Sequence, residues 1–211
     1  MAVAPRNSDP GFSSPAVRLD RLRADLRGVI EQALAPLIRL LAALGVQPNQ
    51  ITVAGVVISV AAAALVLSGH LLAAGIVWLV GSSFDLLDGA LARHENTASP
   101  GGAFLDSTLD RVTEGALFAA IAYHFAALGD PLTAAVSVLG LLGSFLISYT
   151  RARAEALGAE CKVGLVTRAE RVVLLGAGLC VGLLEPALYL LLALTAFTVA
   201  QRIRHGLEAL R

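Results

Sequence analysis

Asp85-Leu86-Leu87-Asp88-Gly89-Ala90-Leu91-Ala92-Arg93 and, eight residues on, Gly102-Ala103-Phe104-Leu105-Asp106-Ser107-Thr108-Leu109-Asp110 form the stretch that decides the fold. Four carboxylates stand here in surroundings that are otherwise apolar. Residues 51–84 contain no Asp, Glu, Lys or Arg, and after Glu114 the next charged residues are Asp130 and Arg151. Ionisable groups at membrane depth are costly unless paired, solvated or bound to a metal. Asp85 and Asp88 are spaced i,i+3 and Asp106 and Asp110 i,i+4, so each pair shares one helix face. Two facing pairs of like charge repel unless a cation lies between them. Oxygen-only ligands select a hard ion, Mg²⁺ before most others. The stretch predicts a carboxylate metal site built by two helices, acting on a phosphate.

The flanking sequence agrees with a membrane setting. Of 211 residues, 56% are hydrophobic, and the mean hydropathy is +0.74. That excludes an ordinary soluble domain and fits a polytopic membrane protein. Cys161 and Cys180 supply neither a disulfide framework nor metal-ligand spacing. With a formal net charge of zero, nothing indicates a nucleic-acid partner.

Working outward, residues 1–15 read as a disordered polar tail and 16–211 as a single membrane domain. Residues 16–31 predict an interfacial amphipathic helix: Leu19, Leu22, Leu26 and Val29 form an apolar stripe, with Arg18, Arg21 and Asp25 around it. It runs on to Leu44, with Pro36 and Arg39 inside, and Gly45 ends it. Six spans follow, at about 49–68, 71–94, 102–128, 131–157, 167–183 and 186–205, each near the roughly 20 residues a bilayer requires. The fold class expected is an all-α integral membrane protein, six transmembrane helices preceded by the interfacial helix. The turns at 69–70, 129–131 and 184–186 carry none of the 16 Lys and Arg residues. All fall on the side of the termini, which the positive-inside rule makes cytoplasmic, at the plasma membrane. The four aspartates belong to that same end.

The full central pattern is Asp85-x2-Asp88-Gly89-x2-Ala92-Arg93-x8-Gly102-x3-Asp106-x3-Asp110. It resembles, position for position, the signature of the CDP-alcohol phosphotransferase family, and the resemblance runs from about residue 17 to about 205. It implies transfer of a phosphatidyl-type group from a CDP-linked donor to an alcohol, with release of CMP. It assigns Asp85, Asp88, Asp106 and Asp110 to metal, Mg²⁺ with Mn²⁺ an alternative and two ions expected, and gives Asp110 general-base duty on the acceptor hydroxyl. Divalent ions would neutralise the donor's pyrophosphate. Gly89, Ala92 and Gly102 leave room for a nucleotide near the backbone, and Arg93 offers a planar fork to phosphate oxygens. Pro48-Asn49-Gln50-Ile51-Thr52 is similar to the family's segment near the nucleotide, and Ser99 is within reach of the same phosphates. Pro48 and Asn49 serve equally to start a helix, and Ser99-Pro100 to make a turn.

The acceptor is read from a basic cluster. Arg151 and Arg153 end the fourth span, Arg171 begins the fifth and Arg202 ends the sixth. That much arginine suits a second anionic group. These segments look like those of actinobacterial phosphatidylinositol phosphate synthases and of the archaeal enzymes making the ether-lipid equivalent. The resemblance implies CDP-diacylglycerol as donor and L-myo-inositol 1-phosphate as acceptor, among membrane lipids and in a homodimer. Two alternatives stand beside it. A phosphatidylglycerophosphate synthase would use the same aspartates with glycerol 3-phosphate. A divalent-cation carrier would explain the aspartates but not Gly89, Ala92 or the arginines.

Overall fold

The computed structural model describes residues 15–161 and 163–211, and within the first helix the side chains of residue 25 and of residues 28 onward. The expected tail, all but its last residue, lies outside the described residues. So do the side chains of Arg18, Leu19, Arg21, Leu22 and Leu26 in the expected amphipathic pattern. The chain falls into two units, Met1–Ala35 and Pro36–Arg211, and every proposed site residue belongs to the second.

Among the described residues the structure is all helical: α1 Pro15–Ala43, α2 Pro48–Leu67, α3 Leu71–His94, α4 Pro100–Ala127, α5 Pro131–Ala156, α6 Arg168–Val181 and α7 Leu184–Ala209. Pro48, Pro100 and Pro131 each stand in a first helical turn, where a missing N–H costs nothing. Gly45, Gly69, Gly129 and Gly182 take positive φ just beyond helix ends, the conformation that reverses a chain with least strain. Pro36 lies inside α1 without ending it.

Among the described residues, four helices, α2, α3, α5 and α7, are long and apolar enough to cross a membrane. The exposed surface agrees. On α2, Val53, Val57, Val60 and Leu67 are exposed, whereas Thr52, Gly55, Ser59, Ala62 and Ala63 are buried. Large apolar groups outside and small or hydroxylated groups inside are the pattern of a helix whose surroundings are lipid. The protein is an integral membrane protein.

In the second unit α2–α7 close a ring: each packs mainly on two others, in the order α2, α3, α6, α7, α5, α4 and back to α2. Trp78, Leu117, Phe118, Ile121, Leu175, Leu179, Leu188 and Leu191 fill its centre, and the Trp78 indole N–H donates to the Val172 carbonyl at 3.2 Å. Small residues set the α2–α3 approach. A Cβ on Gly55 would lie 2.7 Å from Phe84 Cβ, and one on Gly81 would lie 2.5 Å from Ser59 Oγ and 2.9 Å from its backbone nitrogen. This antiparallel register, 59 against 81, carries Thr52 to Asp88. Gly81→Leu is expected to push α3 off α2, lower the melting temperature in detergent by several degrees or more and disturb the site two turns away. A thermal melt of the purified variant checks it.

Several boundaries differ from the sequence expectation, among them the start of α4, which includes Pro100 rather than leaving it in the loop. Glu185-Pro186 is not a turn but the first turn of α7; the reversal is made by Gly182 in the left-handed region and by Leu183. Proline tolerates a first turn, so Pro186 marks a helix start rather than a loop. α6 has 14 residues, about 21 Å of helix, less than the roughly 30 Å hydrocarbon core. The charged start of that segment is spent on its cap and on the site described next.

Candidate active site

Thr52 on α2 donates its hydroxyl to Asp88 Oδ2 on α3 at 2.5 Å and also reaches the Pro48 carbonyl at 3.2 Å. Asp88 is thereby oriented and buried. Three carboxylates, Asp85, Asp88 and Asp106, each bring one oxygen to within 4.8 Å of the others. Asp106 Oδ1 is buried and has no hydrogen-bond partner. Buried anionic oxygens this close, one of them unsatisfied, suit a hard cation held by oxygen. The donor set fits the divalent ion expected from the sequence.

A cavity of about 500 Å³ opens beside these carboxylates, lined along α2 by Pro48, Asn49 and Thr52, along α3 by Asp88, Gly89, Ala92 and Arg93, and around the start of α4 by Ser99, Gly102 and Asp106. The open face of α3 has a simple cause. A Cβ on Gly89 would meet only the flexible end of Arg93, at 3.4 Å, so the glycine is not demanded by helix packing and leaves cavity space instead. Ser99 has a defined structural task. It caps α4, its Oγ accepting from the Gly102 N–H at 3.1 Å, and it lines the cavity as well. Ser99→Ala should cost about 1 kcal/mol through the lost cap, read as a small drop in melting temperature.

Two residues expected at the donor do not line this cavity. Gln50 is exposed, and its Oε1 turns back to accept from the Gln47 N–H at 3.0 Å, closing a capping box on α2. Ile51 is buried on the packed face of the same helix. Conversely, Gln47, Glu95, Thr97, Ala98 and Ala103 line the cavity and were not singled out in the sequence. The loop composition of 95–98 concealed Glu95, Thr97 and Ala98.

Asp110 stands apart from the three gathered carboxylates. Its Oδ1 pairs with Arg168 Nη2 at 2.8 Å, and its Oδ2 accepts from Arg111 Nη1 at 3.4 Å. Arg168 Nη1 also engages Asp85 Oδ2. One turn further along both helices, Glu114 and Arg171 form a two-pronged pair, Nε–Oε1 2.9 Å and Nη2–Oε2 3.2 Å, with both residues buried. Sequence reading missed this ladder. Its signal was present: Asp110 and Glu114 at i,i+4 match Arg168 and Arg171 at i,i+3 on a second helix. The start of α6 is held by its own capping box, in which the Thr167 N–H donates to Glu170 Oε2 at 2.8 Å.

The four arginines expected at the acceptor phosphate are in different states. Arg151 and Arg153 are exposed, and Arg151 Nε pairs with Glu155 at 2.8 Å. Arg171 gives two of its donors to Glu114. Arg202 is buried, with Nε donating to the Val163 carbonyl at 2.9 Å and Nη1 to the Ile147 carbonyl. Arg171 and Arg202 thus already have partners within the protein, unlike the exposed Arg153. A buried charge must be paired or hydrogen-bonded, and both lie in the packed interior.

The model of the family described as CDP-alcohol phosphatidyltransferase matches residues 46–201. The chain belongs to that family. Members resembling this phosphatidyltransferase include the archaetidylinositol phosphate synthase of Pyrococcus horikoshii, 35% identical over 84% of this chain and 93% of the relative. The phosphatidylinositol phosphate synthase of Corynebacterium glutamicum is 38% identical over 80% of this chain and 81% of its own. Among solved structures, the phosphatidylinositol phosphate synthase of Mycobacterium tuberculosis with CDP-DAG bound superposes with a TM-score of 0.75 at 32% identity, covering 81% of this chain and 92% of that one. The same protein has been solved in complex with manganese and citrate. The matched region begins just before the Pro48–Thr52 segment and takes in every residue lining the cavity.

Proposed function

We propose that this phosphatidyltransferase transfers a phosphatidyl group from CDP-diacylglycerol to L-myo-inositol 1-phosphate, giving phosphatidylinositol phosphate and CMP. The observation that carries the reading is the cavity in which Asp88, Gly89, Ala92, Arg93, Gly102 and Asp106 of the signature meet Pro48, Asn49 and Thr52. The names of the relatives from C. glutamicum and M. tuberculosis support the acceptor and the donor.

In this reading the CDP moiety lies against Gly89, Ala92 and Gly102, with Pro48, Asn49, Thr52 and Ser99 along its side and Arg93 on its phosphates. Asp85, Asp88 and Asp106 would hold a divalent ion, Mg²⁺ with Mn²⁺ as a substitute, with room in the scheme for a second ion toward Asp110. When bound, such an ion supplies charge neutralisation for the pyrophosphate and for the departing CMP. An inositol hydroxyl attacks the phosphorus of the phosphatidyl group, and the bond from that phosphorus to the CMP oxygen breaks. Asp110 accepts the hydroxyl proton, and CMP leaves with the bridging oxygen. Arg151 and Arg153 receive the acceptor's phosphate, with Arg171 and Arg202 fixing the helix ends behind them and offering their remaining N–H groups.

The fold completes the reading. Residues 16–211 act as one membrane domain of six spans, α2–α7, preceded by an interfacial amphipathic helix. α4 crosses despite its charged first turns because those face the site, and α6 crosses with part of its path completed by the chain before it. Both termini and the site face the cytoplasm, since the Lys and Arg residues collect there, and the protein works as a homodimer in the plasma membrane.

The test is an acceptor comparison with purified protein in lipid and CDP-diacylglycerol as donor. Label from inositol 1-phosphate should enter lipid in proportion to CMP released. Incorporation of glycerol 3-phosphate in its place would overturn the acceptor assignment.

A further inference from the structure

Arg168 touches two of the four signature aspartates. Its Nη1 engages Asp85 on α3, and its Nη2 pairs with Asp110 on α4 at 2.8 Å. Its Nε is buried and has no hydrogen-bond partner. The guanidinium is therefore held by two anions rather than by a full set of hydrogen bonds. The side chain departs from the first residue of α6, which the Thr167–Glu170 capping box keeps in place. α6 packs on α3 and α7, whereas α4 packs chiefly on α2 and α5. The contact of Arg168 with Asp110 thus reaches across the ring, beside the parallel pair of Arg171 and Glu114.

Asp85 is also one of the three carboxylates that converge on the metal position. A fixed positive charge on that carboxylate disfavours a dication on the same group and orients Asp110 at the same time. We infer that Arg168 is a positioning residue that restrains Asp85 and Asp110 and competes with the divalent ion for Asp85, so that it sets the metal affinity of the site. The inference rests on the metal role proposed above for Asp85, Asp88 and Asp106. It makes a prediction opposite to that of a merely structural arginine. Loss of a structural group loosens a metal site, whereas loss of a competing cation tightens it.

The experiment measures Mn²⁺ binding to the purified full chain in detergent, by electron paramagnetic resonance or calorimetry, for wild type, Arg168→Gln and Arg168→Lys, with turnover measured alongside. Arg168→Gln should bind Mn²⁺ about tenfold more tightly, the scale on which one neighbouring charge moves an ionic equilibrium, while kcat falls because Asp110 is no longer held. Arg168→Lys should bring the affinity back toward wild type, because it restores the charge. It should leave kcat low, because an ammonium lacks the fork that spans two carboxylates. Unchanged or weaker Mn²⁺ binding by a folded Arg168→Gln protein would overturn the inference and leave the metal site standing. If Arg168→Gln does not fold, the lysine variant decides: wild-type affinity with reduced kcat supports the inference, and wild-type kcat overturns it. Wild type that binds no Mn²⁺, or binds it equally well after Asp88→Asn, would overturn the metal site itself and this inference with it.

Discussion

Asp110→Asn is expected to slow CMP release from CDP-diacylglycerol and inositol 1-phosphate by roughly 10²–10⁴-fold, the usual loss when a general base is removed. The amide matches the carboxylate in shape and keeps an oxygen for Arg168, but it cannot take the hydroxyl proton. Asp110 lies outside the group formed by Asp85, Asp88 and Asp106, so Mn²⁺ binding at those three carboxylates should survive the substitution, and KM for the donor should move far less than kcat. Asp88→Asn should behave differently. It removes a converging carboxylate and recasts the Thr52 hydrogen bond at 2.5 Å, so metal binding and turnover should fall together. Steady-state kinetics and Mn²⁺ titration of the two variants separate the roles. An Asp110→Asn protein with wild-type kcat would remove Asp110 from the chemistry.

Glu114→Leu is expected to cost about 3–5 kcal/mol of stability, because it strands the Arg171 charge in the interior. Glu114 is 3% exposed and Arg171 2%, and their two hydrogen bonds at 2.9 and 3.2 Å tie α4 to α6 one turn beyond the Arg168–Asp110 pair. Thermal unfolding in detergent should show a large drop for Glu114→Leu. The double variant Glu114→Leu/Arg171→Leu should recover much of it, since two apolar groups of similar size leave no charge unpaired. Activity should not return with it, because the Arg171 side of the acceptor region is gone. A Glu114→Leu protein as stable as wild type would mean that Arg171 finds another partner on losing this one.

Much of this architecture is legible in the residues. The helix start at Pro48 follows from proline's fit to a first turn, and the reversals at Gly45, Gly69 and Gly129 from glycine's access to positive φ, whereas Pro100 reads as a turn and Gly182 as the interior of a span. The motif spacing is sufficient to bring Asp85 and Asp88 beside Asp106, because i,i+3 residues share a face and the α3–α4 loop is short. The sequence is silent where long side chains choose partners. Arg171 and Arg202 read equally well as open forks or as buried ties, since both have an anionic or carbonyl partner only through tertiary packing. Arg168 belongs to the same class: nothing local to α6 reveals that its fork spans Asp85 and Asp110. Pro186 misled for a different reason, because a proline marks a helix's first turn as readily as the loop before it.

The most direct measurement follows CMP release by the purified chain in lipid, with CDP-diacylglycerol and inositol 1-phosphate, before and after chelation of divalent ions and again after Mg²⁺ or Mn²⁺ is restored. Release should collapse on chelation, return with either ion and stay collapsed in Asp106→Asn at wild-type metal concentrations. Release that continues undiminished in the chelator, or that Asp106→Asn leaves intact, would contradict a metal-assisted transfer at these carboxylates.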